Sequence, residues 1–197
     1  MHLQTHLMSG WCVANLLPLG PRERLLCMIA ATIPDLDGLP KIVSEDWYQR
    51  YHHILGHNLT GGVIISIVLA AFAKRHRVLT GITCLALFHL HLVMDYYGSG
   101  PGWPIAYFWP WDCGLPGSLW FCQHAWEFYS WQNMSAAAVM LAWTLGIAWR
   151  ARRTPLEALM PRLDRQLVQL IAGPERAAEN GPRQSAGALT SGRPPMS

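Results

Sequence analysis

The chain has 197 residues, of which 51% are hydrophobic and only 14% charged. Soluble domains usually carry roughly 25% charged residues, so much of this surface does not face water. The net charge of +3 lies in the tail, because residues 1–150 balance acids against bases; no basic groove interleaved with aromatics is present, which argues against nucleic acid as a partner.

In chain order, residues 3–17 read as a first helix, stopped by Pro18, Gly20 and Pro21. Arg22-Glu23-Arg24 opens a second helix, which runs to Ile33 and ends at Pro34-Asp35-Leu36-Asp37-Gly38. A polar connection follows from Lys41 to Tyr51. The apolar run Leu59–Ala73 is closed by Lys74-Arg75-His76-Arg77. A fourth segment, Val78–Tyr97, is apolar except for His89, His91 and Asp95 near its end. Gly98–Gln132 is rich in Pro, Gly and Trp and cannot be one helix. Met134–Trp149 is again apolar and ends in Arg150-Ala151-Arg152-Arg153. Residues 155–172 could form an amphipathic helix interrupted at Pro161, and from Gly173 the composition is that of a disordered chain. This divides the chain into a membrane-embedded unit (1–153), an amphipathic helix (154–172) and a tail (173–197).

Each long run falls slightly short of the roughly 20 residues that span a bilayer. The expected fold is all-α: an integral membrane bundle of about five helices, three near-spanning and two shorter. Basic clusters at Arg22/Arg24, Lys74/Arg75/Arg77 and Arg150/Arg152/Arg153 fall at one end of an up-and-down bundle, which marks that end as cytoplasmic. The opposite, extracytoplasmic end then holds His6, Asp35, Asp37, His52, His57, His91, Asp95 and a loop with Trp103, Trp109, Trp111 and Trp120 at headgroup level. The expected location is the plasma (inner) membrane, with the C-terminal tail cytoplasmic. Met1 to His6 lacks the basic start of a cleavable signal peptide. No CxxC pair occurs among the five cysteines; Cys113 and Cys122 share one loop and could pair there or remain ordinary thiols.

His91 and Asp95 stand four apart on a helix, so both can reach one ion. An Asp in an apolar helix costs roughly 2.5–3.5 kcal/mol unless paired or ligating; the plainer reading is a His–Asp hydrogen bond that serves packing. His52 and His57 lie on the incoming loop and first turn of the next helix, with His53 between them. Asp35 and Asp37 fit turn chemistry, or two alternate carboxylates facing a cavity. His6 is in the first turn of the first helix. A His/Asp set without Cys suits zinc, with manganese or iron possible, and its size allows two ions.

The ordered set Thr5-His6-xxx-Gly10, Pro34-Asp35-Leu36-Asp37, His52-xxxx-His57 and His91-xxx-Asp95 resembles the family of membrane-bound metal-dependent hydrolases. Asp95-Tyr96-Tyr97-Gly98 followed by Trp109-Pro110-Trp111 is similar to a further segment of that family, and the likeness covers residues 1–112. That family is in turn similar to zinc-dependent phospholipase C and single-strand nucleases. The resemblance implies that His91 ligates and Asp95 bridges, with His6, Asp35 or Asp37, and His52 or His57 completing the cluster. His124 and Glu127 could add late ligands. The chain departs from the family where His52-His53-Ile54-Leu55-Gly56-His57 lacks the usual Arg, a natural phosphate-binding cation.

The expected function is therefore a membrane-bound hydrolase of lipid or small phosphoesters, acting through a metal-activated water at His91 and Asp95. Its expected partners are membrane lipid and the substrate; the oligomeric state is not legible. The rivals are a transporter component with a His89/His91/Asp95 proton relay, and an adaptor with a structural metal.

Overall fold

The computed structural model describes residues 1–54, 56–100, 104–111 and 126–173 and the backbone of 120–121, without the side chain of Arg50. Among these residues the chain forms α1 (Leu3–Ala14), α2 (Pro21–Thr32), α3 (Glu45–Tyr51), α4 (Leu59–Phe72), α5 (Arg77–Gly98), α6 (Trp131–Ala151) and α7 (Pro161–Ala172). A 3-10 segment covers Ile33–Ile42, and Ile105–Ala106 pairs antiparallel with Trp120–Phe121.

Local chemistry sets the helix starts. Pro21 and Pro161 occupy the first turns of α2 and α7, where a missing N–H costs nothing. Ser44, Asn58 and Ser130 cap α3, α4 and α6 through their side-chain oxygens. Three extents differ from the sequence expectation. α1 ends at Ala14 in turns, α7 begins at Pro161 where the expected helix covered 155–172 with an interruption there, and the connection Lys41–Tyr51 carries α3.

α1 packs against α2 and α6, α2 against α5, and α5 against α4. Small residues let the backbones approach: a Cβ at Gly10 would stand 2.7 Å from the Ala31 Cβ, and one at Gly62 2.8 Å from the Phe88 ring. The core between them holds Ala14, Leu26, Cys27, Ala30, Ala31, Leu69, Cys84 and Leu87.

α5 and α6, with 22 and 21 residues, are long and apolar enough to cross a membrane, whereas α4 is apolar but has 14. Their outward faces expose Ile64, Ile67 and Phe72 on α4, Val78, Ile82 and Val93 on α5, and Val139, Leu141 and Leu145 on α6. Water-facing surfaces rarely carry apolar patches of this extent.

The basic clusters gather at one end. Arg22 Nε donates to the Phe72 carbonyl (2.8 Å), and Glu23 accepts from the Lys74 and Arg75 N–H groups (3.1 Å each). Arg24 makes a two-pronged contact with Glu157 (2.6 Å each), beside Arg153. Measured along α5 from Arg77, His91 and Asp95 lie roughly 21 and 27 Å away, toward the opposite end.

Candidate metal centre

Four separate segments converge on Asp95. α5 presents His91 and Asp95 one turn apart on its inward face, α1 brings His6, the 3-10 segment brings Asp35, and the turn before α4 brings His53 and His57. His6, His53, His57, His91 and Asp95 are all buried. Ligand-type atoms of His6, Asp35, His91 and Asp95 lie within 4.8 Å of one another, as do those of His53, His57 and Asp95. Asp95 Oδ1 meets His6 Nε2 at 3.1 Å and also receives the Met1 amino group. Asp95 Oδ2 meets His91 Nε2 at 2.9 Å and His57 Nε2 at 3.2 Å. Asp35 Oδ1 lies 3.7 Å from His91 Nε2.

The rings are held from behind. His91 Nδ1 donates to the Ala31 carbonyl (2.8 Å), and His57 Nδ1 donates to Asp37 Oδ2 (2.9 Å). Asp37 Oδ2 also accepts the N–H groups of His53 (3.1 Å) and Gly56 (2.9 Å), while Oδ1 accepts from His52 Nδ1 (2.7 Å). Asn58 closes the turn: its amide donates to the Ile54 carbonyl (2.8 Å) and its oxygen accepts from Gly61 (2.7 Å).

These outer bonds fix the tautomers. A carbonyl and an ionised carboxylate can only accept, so His91 and His57 carry their protons on Nδ1 and turn bare Nε2 lone pairs inward. The two Nε2 atoms are 3.1 Å apart, and with Asp95 Oδ2 they form a triangle of three acceptors with no proton among the neutral forms. Such a triangle requires one positive charge at its centre, a proton or a metal ion. Zinc binds His at about 2.0–2.1 Å, which sets tetrahedral ligand atoms roughly 3.3–3.4 Å apart, close to the sides observed. Ligating His residues characteristically donate their other nitrogen to a carboxylate or carbonyl. The residues present fit a metal ion.

The polar turn outside the helices is tuned accordingly. Burial opposes ionisation of Asp37, but its hydrogen bonds to His52 and His57 win and hold it well below the usual carboxylate range. For His57, burial is outweighed by its bonds to Asp37 and Asp95, so without a metal its pKa rises to about 9. Burial and the neighbouring His57 push His53 down to about 3, which keeps that ring neutral.

The structure thus brings His6, Asp35, His57, His91 and Asp95 together. It sets Asp37 and His52 behind His57, and puts His53 inward, where the sequence left three histidines open. His89 faces away: its Nδ1 donates to the Leu85 carbonyl (2.8 Å), and Nε2 meets Tyr107 Oη (2.8 Å). Glu127 is exposed. His124, Cys113, Cys122, Trp103 and the Trp120 side chain lie outside the described residues. Asn58 was readable in advance as a cap before an apolar run; the Ala31 carbonyl was not, because backbone atoms leave no sequence signal.

A small polar cavity of about 90 Å³ adjoins the cluster, lined by Met1, Asp35, Tyr48, His52, His53, Asp95, Ser99 and Phe128. A larger cavity, about 560 Å³, lies elsewhere, on the outward face of α5 along His89, Leu92, Val93, Tyr96, Tyr97, Ile105 and Tyr107. Size alone would favour the second; the ionisable groups are at the first. Between them runs Ile105–Ala106, with the Ala106 N–H donating to the His53 carbonyl (3.3 Å).

Residues 1–160 match the family described as YdjM inner membrane protein. The chain belongs to that family. Membership in the YdjM family makes this an inner membrane protein, in agreement with its two apolar helices of spanning length. The family description carries no hydrolase or phospholipase assignment. No curated protein and no solved structure matches the chain.

Proposed function

We propose that the cluster around Asp95 holds zinc, with manganese or iron as alternatives, and that the protein is a hydrolase of phosphoester bonds. The observation that carries the reading is the acceptor triangle of His57, His91 and Asp95, which calls for a cation and is framed by further ligand-type groups of His6, His53 and Asp35. A bound ion would supply Lewis acidity and an activated water. The chain's own residues do the rest. Asp37 orients His57 through its carboxylate, and the Ala31 carbonyl orients His91. Asp95 belongs to both ligand groups, its Oδ1 against His6 and its Oδ2 against His57 and His91. The adjoining cavity, with Tyr48, His52 and Ser99 in its wall, offers polar groups to a phosphate-sized substrate.

The site faces the end opposite the basic clusters, so under the positive-inside tendency it opens on the extracytoplasmic side. A lipid phosphoester suits that placement, and the apolar cavity on the outward face of α5 lies nearby. The proton-relay alternative draws less support, because His89 is turned to the outer face of α5 with its own partners.

Elemental analysis of the detergent-purified full chain, wild type beside His91→Ala/Asp95→Ala, tests the reading. Near-stoichiometric zinc, lost in a variant that remains folded, is expected and would be followed by phosphoester hydrolysis assays. Absence of metal after reconstitution would remove the hydrolase and leave the triangle to a proton.

A further inference from the structure

The end of the molecule opposite Asp95 also holds a cavity. It measures about 280 Å³ and opens between the end of α1 and the last turns of α6, lined by Asn15, Leu16, Trp143, Ile147, Arg150 and Arg153 among others. Its floor is open because Gly146 sits there: nothing lies within 4 Å of where a Cβ would be.

The charges around this cavity are not balanced. Glu157 already gives both oxygens to Arg24, whose remaining nitrogen donates to the Leu19 carbonyl. Arg153 is half-buried, and its Nε is buried with no hydrogen-bond partner among the described residues. The Arg150 side chain, three residues earlier in the last turn of α6, is exposed and makes no hydrogen bond among them either. A guanidinium nitrogen left buried and unpaired is destabilising, so the position calls for an anion.

The surroundings say which kind. α6 has 21 residues and spans about 31 Å, which puts its basic C-terminal turn at the headgroup level of a bilayer about 30 Å thick in its hydrocarbon. Trp149 is exposed directly before that turn, where aromatic side chains mark the interface, and Trp143 lies two turns deeper along the cavity. The cavity therefore has a cationic mouth and an apolar floor that continues into the membrane-facing side of α6.

We propose that this cavity binds an anionic glycerophospholipid of the surrounding leaflet. Its phosphate is held by Arg150 and Arg153, and an acyl chain lies along Trp143, Gly146 and Ile147. Guanidinium groups suit phosphate through paired N–H donors, and basic pockets between membrane helices characteristically take such headgroups. The site is independent of the metal centre.

The test uses the full chain in mild detergent, exposed to phosphatidylglycerol or phosphatidylcholine of equal chain length and followed by native mass spectrometry. The wild type should retain phosphatidylglycerol with a preference on the order of tenfold. Arg150→Gln/Arg153→Gln should lose that preference, and Arg162→Gln/Arg165→Gln, on α7 at the same end, should keep it. Equal loss in both pairs would mean diffuse attraction and overturn the site. Thermal stabilisation by inorganic phosphate equal to that by phosphatidylglycerol would assign a soluble anion and overturn the lipid. If the double variant fails to fold, Arg150→Gln alone, at an exposed position, should weaken the preference several-fold; an unchanged preference there overturns the proposal.

Discussion

Asp37→Asn separates a residue that ligates from one that orients. Asp37 accepts four hydrogen bonds, three of them at Oδ2 from His53, Gly56 and His57, and one at Oδ1 from His52. Asparagine keeps one oxygen. Turned toward the three-donor side it still serves His57, and its NH2 then faces His52, whose side chain is 13% exposed and can turn to water. Three bonds survive but lose their charge assistance, at roughly 1 kcal/mol each. The fold should therefore weaken by about 3 kcal/mol, and metal affinity should fall by about 10- to 100-fold, the usual cost of losing a partner behind a ligating His. The assay is competition for zinc with a chromophoric chelator on the detergent-purified chain. Wild-type affinity in Asp37→Asn would refute the orienting role. A loss as complete as in Asp95→Ala would make Asp37 a ligand after all.

Three further outcomes are expected. A Cβ at Gly56 would sit 2.4 Å from the Pro34 carbonyl oxygen and 3.1 Å from Asp37 Oδ2, so Gly56→Ala should cost about 1–3 kcal/mol and lower metal loading. Equal loading by Gly56→Ala and wild type would contradict the close approach. In metal-free protein His57 has its pKa raised from 6.5 to about 9, so its stabilising contribution is complete below pH 6.5 and is lost as pH climbs to 9. Thermal unfolding in chelator should show that decline, and zinc, which replaces the proton, should flatten it; identical profiles would contradict the exchange of one for the other. A reporter fused after Arg153 should be active only as a cytoplasmic fusion, since the three basic clusters share that end; activity outside would invert the orientation.

The bundle was legible where apolar runs met basic punctuation. Leu59–Ala73 and Val78–Tyr97 became α4 and α5 with ends shifted by at most one residue. α3 was not legible, because its seven residues, Glu45–Tyr51, carry no sustained apolar period. At the site, helical spacing alone put His91 and Asp95 on one side of α5, where they meet at 2.9 Å, but left open whether they ligate or pack. Asp35 and Asp37 misled for a definite reason. Alternate residues share a face only in an extended chain, and here they lie in a 3-10 segment with three residues per turn. They diverge, Asp35 toward His91 and Asp37 behind His57. His53 turns inward through a left-handed backbone (φ 65°), a conformation that a histidine does not advertise in sequence.

The pairing of Arg24 with Glu157 bears on how the protein is made. These two residues are 133 apart in the chain, and both are nearly buried. During synthesis the Arg24 guanidinium cannot meet Glu157 until the ribosome has delivered the segment after α6. The early pair α1 and α2, packed against each other, thus forms with a cation at its base and is locked only when that later segment arrives. Chains that stop short of Glu157 would leave the ribosome with that lock open, the Arg24 guanidinium lacking the carboxylate it holds in the finished fold.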